Sequence, residues 1–130
     1  MLFRKILFWI KYKKIKTVST VRYNEAIKYM KDLDVTSIHS YMNGDDIRDT
    51  KKLNSIYTQI GEHNIITKIG ACAIEPRFKK WSLDDYDEYC NDIEKDVNKA
   101  FYLCGFFLSN FGLKQPILAT FFLNLAKIKT

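Results

Sequence analysis

The residues of this chain best suited to hold a metal or attack a substrate are three cysteines, Cys72, Cys90 and Cys104, and two histidines, His39 and His63. A structural metal site needs such ligands to converge, and its usual sign in sequence is close pairing, as in C-x-x-C or H-x-x-x-H. No such spacing occurs here. Cys90 and Cys104 share one helical face but lie about 21 Å apart along the axis, too far to be joined. The sequence predicts no metal site and no cofactor. An odd, scattered set of thiols also argues against a disulfide scaffold, and for buried thiols in a reducing, intracellular (cytoplasmic) compartment.

Nucleophilic catalysis needs a base within reach of a Ser, Thr or Cys. Glu62-His63 is the one adjacent acid–histidine pair, and neighbours in sequence diverge around a helix. The chain has no phosphate loop, no nucleophile elbow and no Rossmann glycine pattern. The expectation is a protein that is not an enzyme and acts by surface contact.

Charge shows where such contact is expected. Arg4, Lys5, Lys11, Lys13, Lys14, Lys16 and Arg22 all precede the first acidic residue, Glu25, which leaves 14 basic against 15 acidic residues from Tyr23 onward. Residues 1–16 thus read as a basic, aromatic arm on a nearly neutral body formed by residues 17–130. Leu2, Phe3, Ile6, Leu7, Trp9 and Ile10 fall on one helical face, with Arg4, Lys5 and Lys11 opposite, so the arm is an amphipathic helix for about three turns. Five apolar residues interrupted by Lys11 are too few for a secretion signal.

A second basic and aromatic patch, Arg77-Phe78-Lys79-Lys80-Trp81, precedes an acidic run of Asp84, Asp85, Asp87, Glu88, Asp92, Glu94 and Asp96. The candidate anion-binding residues are therefore Arg4, Lys5, Trp9, Lys11, Lys13, Lys14, Lys16, Arg77, Lys79 and Lys80. They suit an anionic membrane surface, which Trp9 would enter beside its lysines, or phosphates of nucleic acid bound without regard to sequence. Helix-dipole stabilisation accounts for Asp84 to Glu88, whereas Asp92, Glu94 and Asp96 form a candidate protein-binding acidic face. The same acids would also serve to pair with the arm internally.

The elements that must carry these residues read as helices. Apolar spacing marks helices over Tyr23–Leu33 and Asp49–Glu62, and a short one through Ile65, Ile66, Ile69 and Cys72 that stops before Pro76. Thr17–Val21 reads as a connector or short strand, and Asn43-Gly44-Asp45-Asp46 as a turn. Ser82 and Asp85 have capping-box spacing, with Trp81 and Tyr86 placed as a hydrophobic staple. From Leu83 to Phe111 an apolar stripe runs unbroken for about eight turns. A last helix starts at Pro116.

Ala100–Ala126 holds one charge, Lys114, and seven aromatic residues. It is too short and too interrupted to span a bilayer, and reads as a central pair of core helices. The predicted fold is all-α, a single bundle of about six helices with a long central helix of acidic start and an apolar C-terminal helical pair. The predicted role is a non-enzymatic interaction module with a protein partner. Lys outnumbers Arg 17 to 4, a bias that suits AT-rich coding DNA and so an accessory or inhibitory protein of a virus, phage or mobile element. The alternatives are a peripheral membrane protein docked by the arm, or a nucleic-acid binder.

Overall fold

Phe8 and Tyr12 stand one helical turn apart, and burying that edge organises the amino-terminal end of the fold. In the computed structural model, which describes residues 2–31 and 63–111 together with 120, 122–124 and 126, helix α1 spans Leu2–Lys11. The chain then leaves the helix directly into strand β1, Tyr12–Lys14. Strand β2, Ile74–Pro76, pairs with it antiparallel, with Tyr12 opposite Pro76, Lys13 opposite Glu75 and Lys14 opposite Ile74. Backbone bonds from Ile15 to the Ala73 carbonyl and from Arg77 to the Lys11 carbonyl, both 3.0 Å, extend the ladder at each end.

The described residues are mostly helical, as expected, and this one short two-stranded sheet is an addition that the all-α expectation did not include. Lys13 and Lys14, which break the helical pattern of the arm, do so because the backbone there is extended. Tyr12 and Ile15 are buried while the lysines between them face out. A strand of three residues is too short to show a period of two in sequence.

Helix α2, Thr20–Met30, begins earlier than its apolar spacing suggests. Ser19 is its N-cap, its hydroxyl accepting the Arg22 amide at 3.3 Å, so the β-branched stretch before Tyr23 is partly helical. The buried face of α2 carries Arg22 and Ala26. Helix α3, His63–Ala71, is the central element and packs along the helix over Val97–Asn110. Gly70 permits that approach: a Cβ there would lie 3.2 Å from the Leu103 Cβ.

The long central helix of the sequence reading is three elements. A 3₁₀ turn at Leu83–Asp85 leads into α4, Tyr86–Glu94, and the chain breaks at Lys95-Asp96 before α5, Val97–Asn110. Asp96 ends the run because its carboxylate accepts the Asn98 amide at 3.1 Å and starts a new helix as its N-cap. Ser82 does cap, but it takes the amide of Asp84 rather than Asp85. The Trp81 and Tyr86 rings meet with centroids 6.1 Å apart.

The core lies where α3, α4 and α5 converge, around Ile66, Ile69, Tyr89, Ile93, Phe101, Leu103 and Phe107. Beyond α5, residues 120, 122–124 and 126 are helical, and Phe122 and Ala126 are buried with this core. Among the described residues no helix is long and apolar enough to cross a membrane. The expected turn at Asn43–Asp46, the helix over Asp49–Glu62, the end of the second helix at Leu33 and the helix start at Pro116 lie outside the described residues, as does His39.

Candidate functional site

The two charged surfaces of the sequence reading meet each other. Lys11, at the end of α1, places its Nζ 2.8 Å from Glu88 Oε1 and 2.7 Å from Asp92 Oδ2 on α4. The Tyr12 hydroxyl donates to the same Asp92 oxygen. Burial resists ionisation of Asp92, but hydrogen bonds from Lys11 and Tyr12 outweigh it and hold the carboxyl below its ordinary range. Desolvation likewise opposes the Lys11 ammonium, and the two carboxylates more than restore it, so its proton is held more tightly than usual. Lys79 pairs with Asp85 at 3.2 Å and with Glu88 at 3.6 Å.

The acidic face is therefore largely engaged inside the molecule. Asp92 also takes Lys95 at 3.4 Å, and Asp96 serves as a helix cap, while Glu94 is exposed. Arg77 donates from Nε to the carbonyls of Trp9 (2.8 Å) and Tyr12 (3.1 Å), which pins the loop carrying Phe78 to the end of α1. The side chains of Arg4 and Lys5 lie outside the described residues.

Helix α1 has two apolar edges where the sequence suggests one. Phe8 and Tyr12 turn inward, and the Phe8 ring packs edge-on to half-buried Trp9 at 4.9 Å. Ile6, Leu7 and Ile10 remain 50%, 48% and 54% exposed. On the adjoining loop Phe78 is 84% exposed. Arg77 ties this loop to the end of α1, so the exposed apolar side chains of helix and loop sit on joined elements.

On another side a groove of about 650 Å³ opens between β1, the connector into α2 and the Lys80–Leu83 segment. Five basic residues line it, Lys13, Lys14, Lys16, Arg22 and Lys80, against one carboxylate, Glu75. Its fixed wall is Trp81, whose indole N–H donates to the Ala71 carbonyl at 3.1 Å and whose ring stacks on Tyr89 at 5.9 Å. The Arg22 guanidinium lies 4.9 Å from the Trp81 ring centre and 3.6 Å from Glu75. Burial pulls its proton affinity down, and Glu75 works against that shift.

Arg22 had no distinguishing signal in sequence beyond its charge; helix α2 makes it a groove residue by turning it beneath Trp81. Lys13 reaches Glu75 at 3.9 Å, and the Lys14 ammonium turns aside to the Tyr102 hydroxyl at 2.7 Å. Lys16 and Lys80 stand exposed at the groove without a partner among the described residues.

The three thiols are free. Cys72 lies 3.8 Å from the Tyr86 hydroxyl, which donates to the Lys68 carbonyl. Burial pushes the Cys72 and Cys90 thiols up to about 12, and pushes the fully enclosed Cys104 higher still. These are properties of packed thiols rather than of nucleophiles. Among the described residues no group of three or more His, Cys, Asp or Glu side chains could hold a metal ion. No protein family matches this chain, and no curated protein or solved structure matches it either.

Proposed function

We propose that this chain is a non-enzymatic interaction module that docks on a protein partner through the ridge of Ile6, Leu7, Ile10 and Phe78. The observation that carries the reading is the exposure of these four large apolar side chains on elements that are themselves firmly held. A folded protein gains nothing by presenting Phe78 to water from a loop pinned by Arg77, and contiguous exposed apolar surface usually marks a contact site. The partner surface would be an apolar cleft. An accessory or inhibitory role inside a cell suits a module of this kind with three free thiols.

The test compares the whole chain with an Ile6→Ser, Ile10→Ser, Phe78→Ser variant in affinity capture from lysate, with circular dichroism to confirm an unchanged fold. One stoichiometric protein bound by the first and lost by the second supports the reading. A partner retained by the variant defeats it.

A second reading is a peripheral membrane protein, favoured by the placement of Phe78 between Arg77 and Lys79-Lys80. Aromatic and basic residues side by side suit the headgroup layer of an anionic bilayer. Flotation with phosphatidylserine vesicles, lost on Phe78→Ser, would select it. Phe78 is a sharper probe than Trp9, which is half-buried against Phe8. A nucleic-acid surface has less support, since Lys11 and Lys79 already spend their charge on Asp85, Glu88 and Asp92.

A further inference from the structure

The groove beside Trp81 is distinct from the apolar ridge, and its chemistry does not follow from docking. Four positive side chains present their charge along it. Lys13 comes from the strand, Lys16 from the connector, Arg22 from the first turn of α2 and Lys80 from the loop opposite. Lys14 contributes its stem, because its ammonium is held by Tyr102. The single carboxylate, Glu75, is contacted by Arg22 and Lys13 at 3.6 and 3.9 Å. One negative charge thus faces an excess of positive charge in a concave space, which focuses the field on whatever anion enters.

We infer that this groove is a binding site for a small ligand bearing two or more phosphate groups. Three features select that class. The first is the volume, about 650 Å³, which suits a small molecule rather than a length of polymer. The second is preorganisation. Arg22 is 8% exposed at its side chain, fixed between the Trp81 ring and Glu75, so it holds its guanidinium in place before any ligand arrives. The ammonium groups of Lys16 and Lys80, without a partner among the described residues, come from separate segments, and two such charges suit two anionic groups better than one.

The third feature is what the groove lacks. Trp81 already stacks on Tyr89 and has the Arg22 guanidinium 4.9 Å from its ring centre, so its ring surface is engaged within the protein rather than set out for a nucleobase. Recognition would rest on the phosphates. The positive end of α2 adds to the attraction, since the connector that caps it, Thr17 to Ser19, also lines the groove.

The experiment uses the full chain, with Trp fluorescence and calorimetry at low salt, and three probes. Pyrophosphate and inositol trisphosphate represent the free ligand, and phosphatidylcholine vesicles with or without phosphatidylinositol bisphosphate represent a lipid headgroup. Saturable one-to-one binding of a free probe, weakened about tenfold or more by Lys16→Gln with Lys80→Gln, is the expected result. Preference for the bisphosphate vesicles with the same dependence on Lys16 and Lys80 would assign the site to a headgroup.

Both lysines are exposed, so the paired variant keeps its fold, which circular dichroism checks. The control is Lys28→Gln with Lys31→Gln, removing equal charge at the far end of α2. Three outcomes overturn the inference. They are no saturable binding to any probe, equal weakening by the control pair, and displacement by a random oligonucleotide at equal affinity.

Discussion

Lys11 and Asp92, 81 positions apart in the chain, meet at 2.7 Å where the end of α1 crosses α4. The contact joins the most basic segment of the protein to its most acidic helix. It neutralises part of each charge run inside the fold, at Lys11, Glu88 and Asp92. Tyr12 completes the arrangement from below, its ring packed edge-on to Tyr89 at 5.9 Å and its hydroxyl on the Asp92 carboxylate.

Replacing Asp92 with Asn is therefore expected to destabilise the fold by about 1 kcal/mol, a value kept small because Lys11 is nearly half exposed and screened by water. The pH dependence has a definite sign. Asp92 has a folded proton affinity below that of the unfolded chain, so its contribution is present above the ordinary carboxylate value and lost as pH falls through the folded one. Urea unfolding of wild type and Asp92→Asn should differ at neutral pH, and the difference should shrink progressively below about pH 4. A difference independent of pH would mean the carboxylate is not what matters.

The two edges of α1 give a second prediction. Phe8 is buried, with Lys99 over its ring at 4.0 Å and Tyr12 against it at 4.9 Å, so Phe8→Ala should cost about 3 kcal/mol. Ile10→Ser, on the outward edge, should stay within about 0.5 kcal/mol of wild type. Thermal or urea melts of the pair check the orientation of the helix directly. Equal losses would mean that the outward edge is covered.

That orientation marks where the sequence stops being informative. Helical character over Leu2–Lys11, His63–Ala71 and Val97–Asn110 was legible, because apolar periodicity reports local structure. The inward edge was not, since both edges of α1 are apolar and only packing against Tyr89 and Lys99 chooses between them. The ribbon of β1 and β2 was hidden for a related reason: Tyr12–Lys14 pairs with residues some sixty positions later, and neither strand is long enough to alternate. The internal pairing of arm and acidic helix could be framed from charge alone, but which lysine meets which carboxylate depends on that same crossing.

The break in the long helix is a third test. An unbroken apolar stripe from Leu83 to Phe111 conceals it, and its local cause is the Asp96 carboxylate on the Asn98 amide. Asp96→Ala removes the cap and should cost about 1 kcal/mol in urea unfolding, with Asp96→Asn losing less because the amide oxygen still accepts. If both substitutions were silent, the break would owe nothing to the cap.

The thiols supply the last prediction. With the Cys72 and Cys90 thiols pushed up to about 12, roughly one molecule in ten thousand carries either as thiolate at about pH 8. Cys104 is fully enclosed as well as shifted upward, and Cys90 retains some exposure. Iodoacetamide should label Cys90 slowly, Cys72 more slowly and Cys104 only on unfolding, with all three modified at once in urea. Mass spectrometry of timed samples reads the order. Because the rate follows thiolate fraction, raising the pH should speed Cys90 labelling about tenfold per unit while the fold survives. A thiol labelled quickly in the native protein at neutral pH would be inconsistent with the packing of α3, α4 and α5, whose converging faces are what keep these groups protonated.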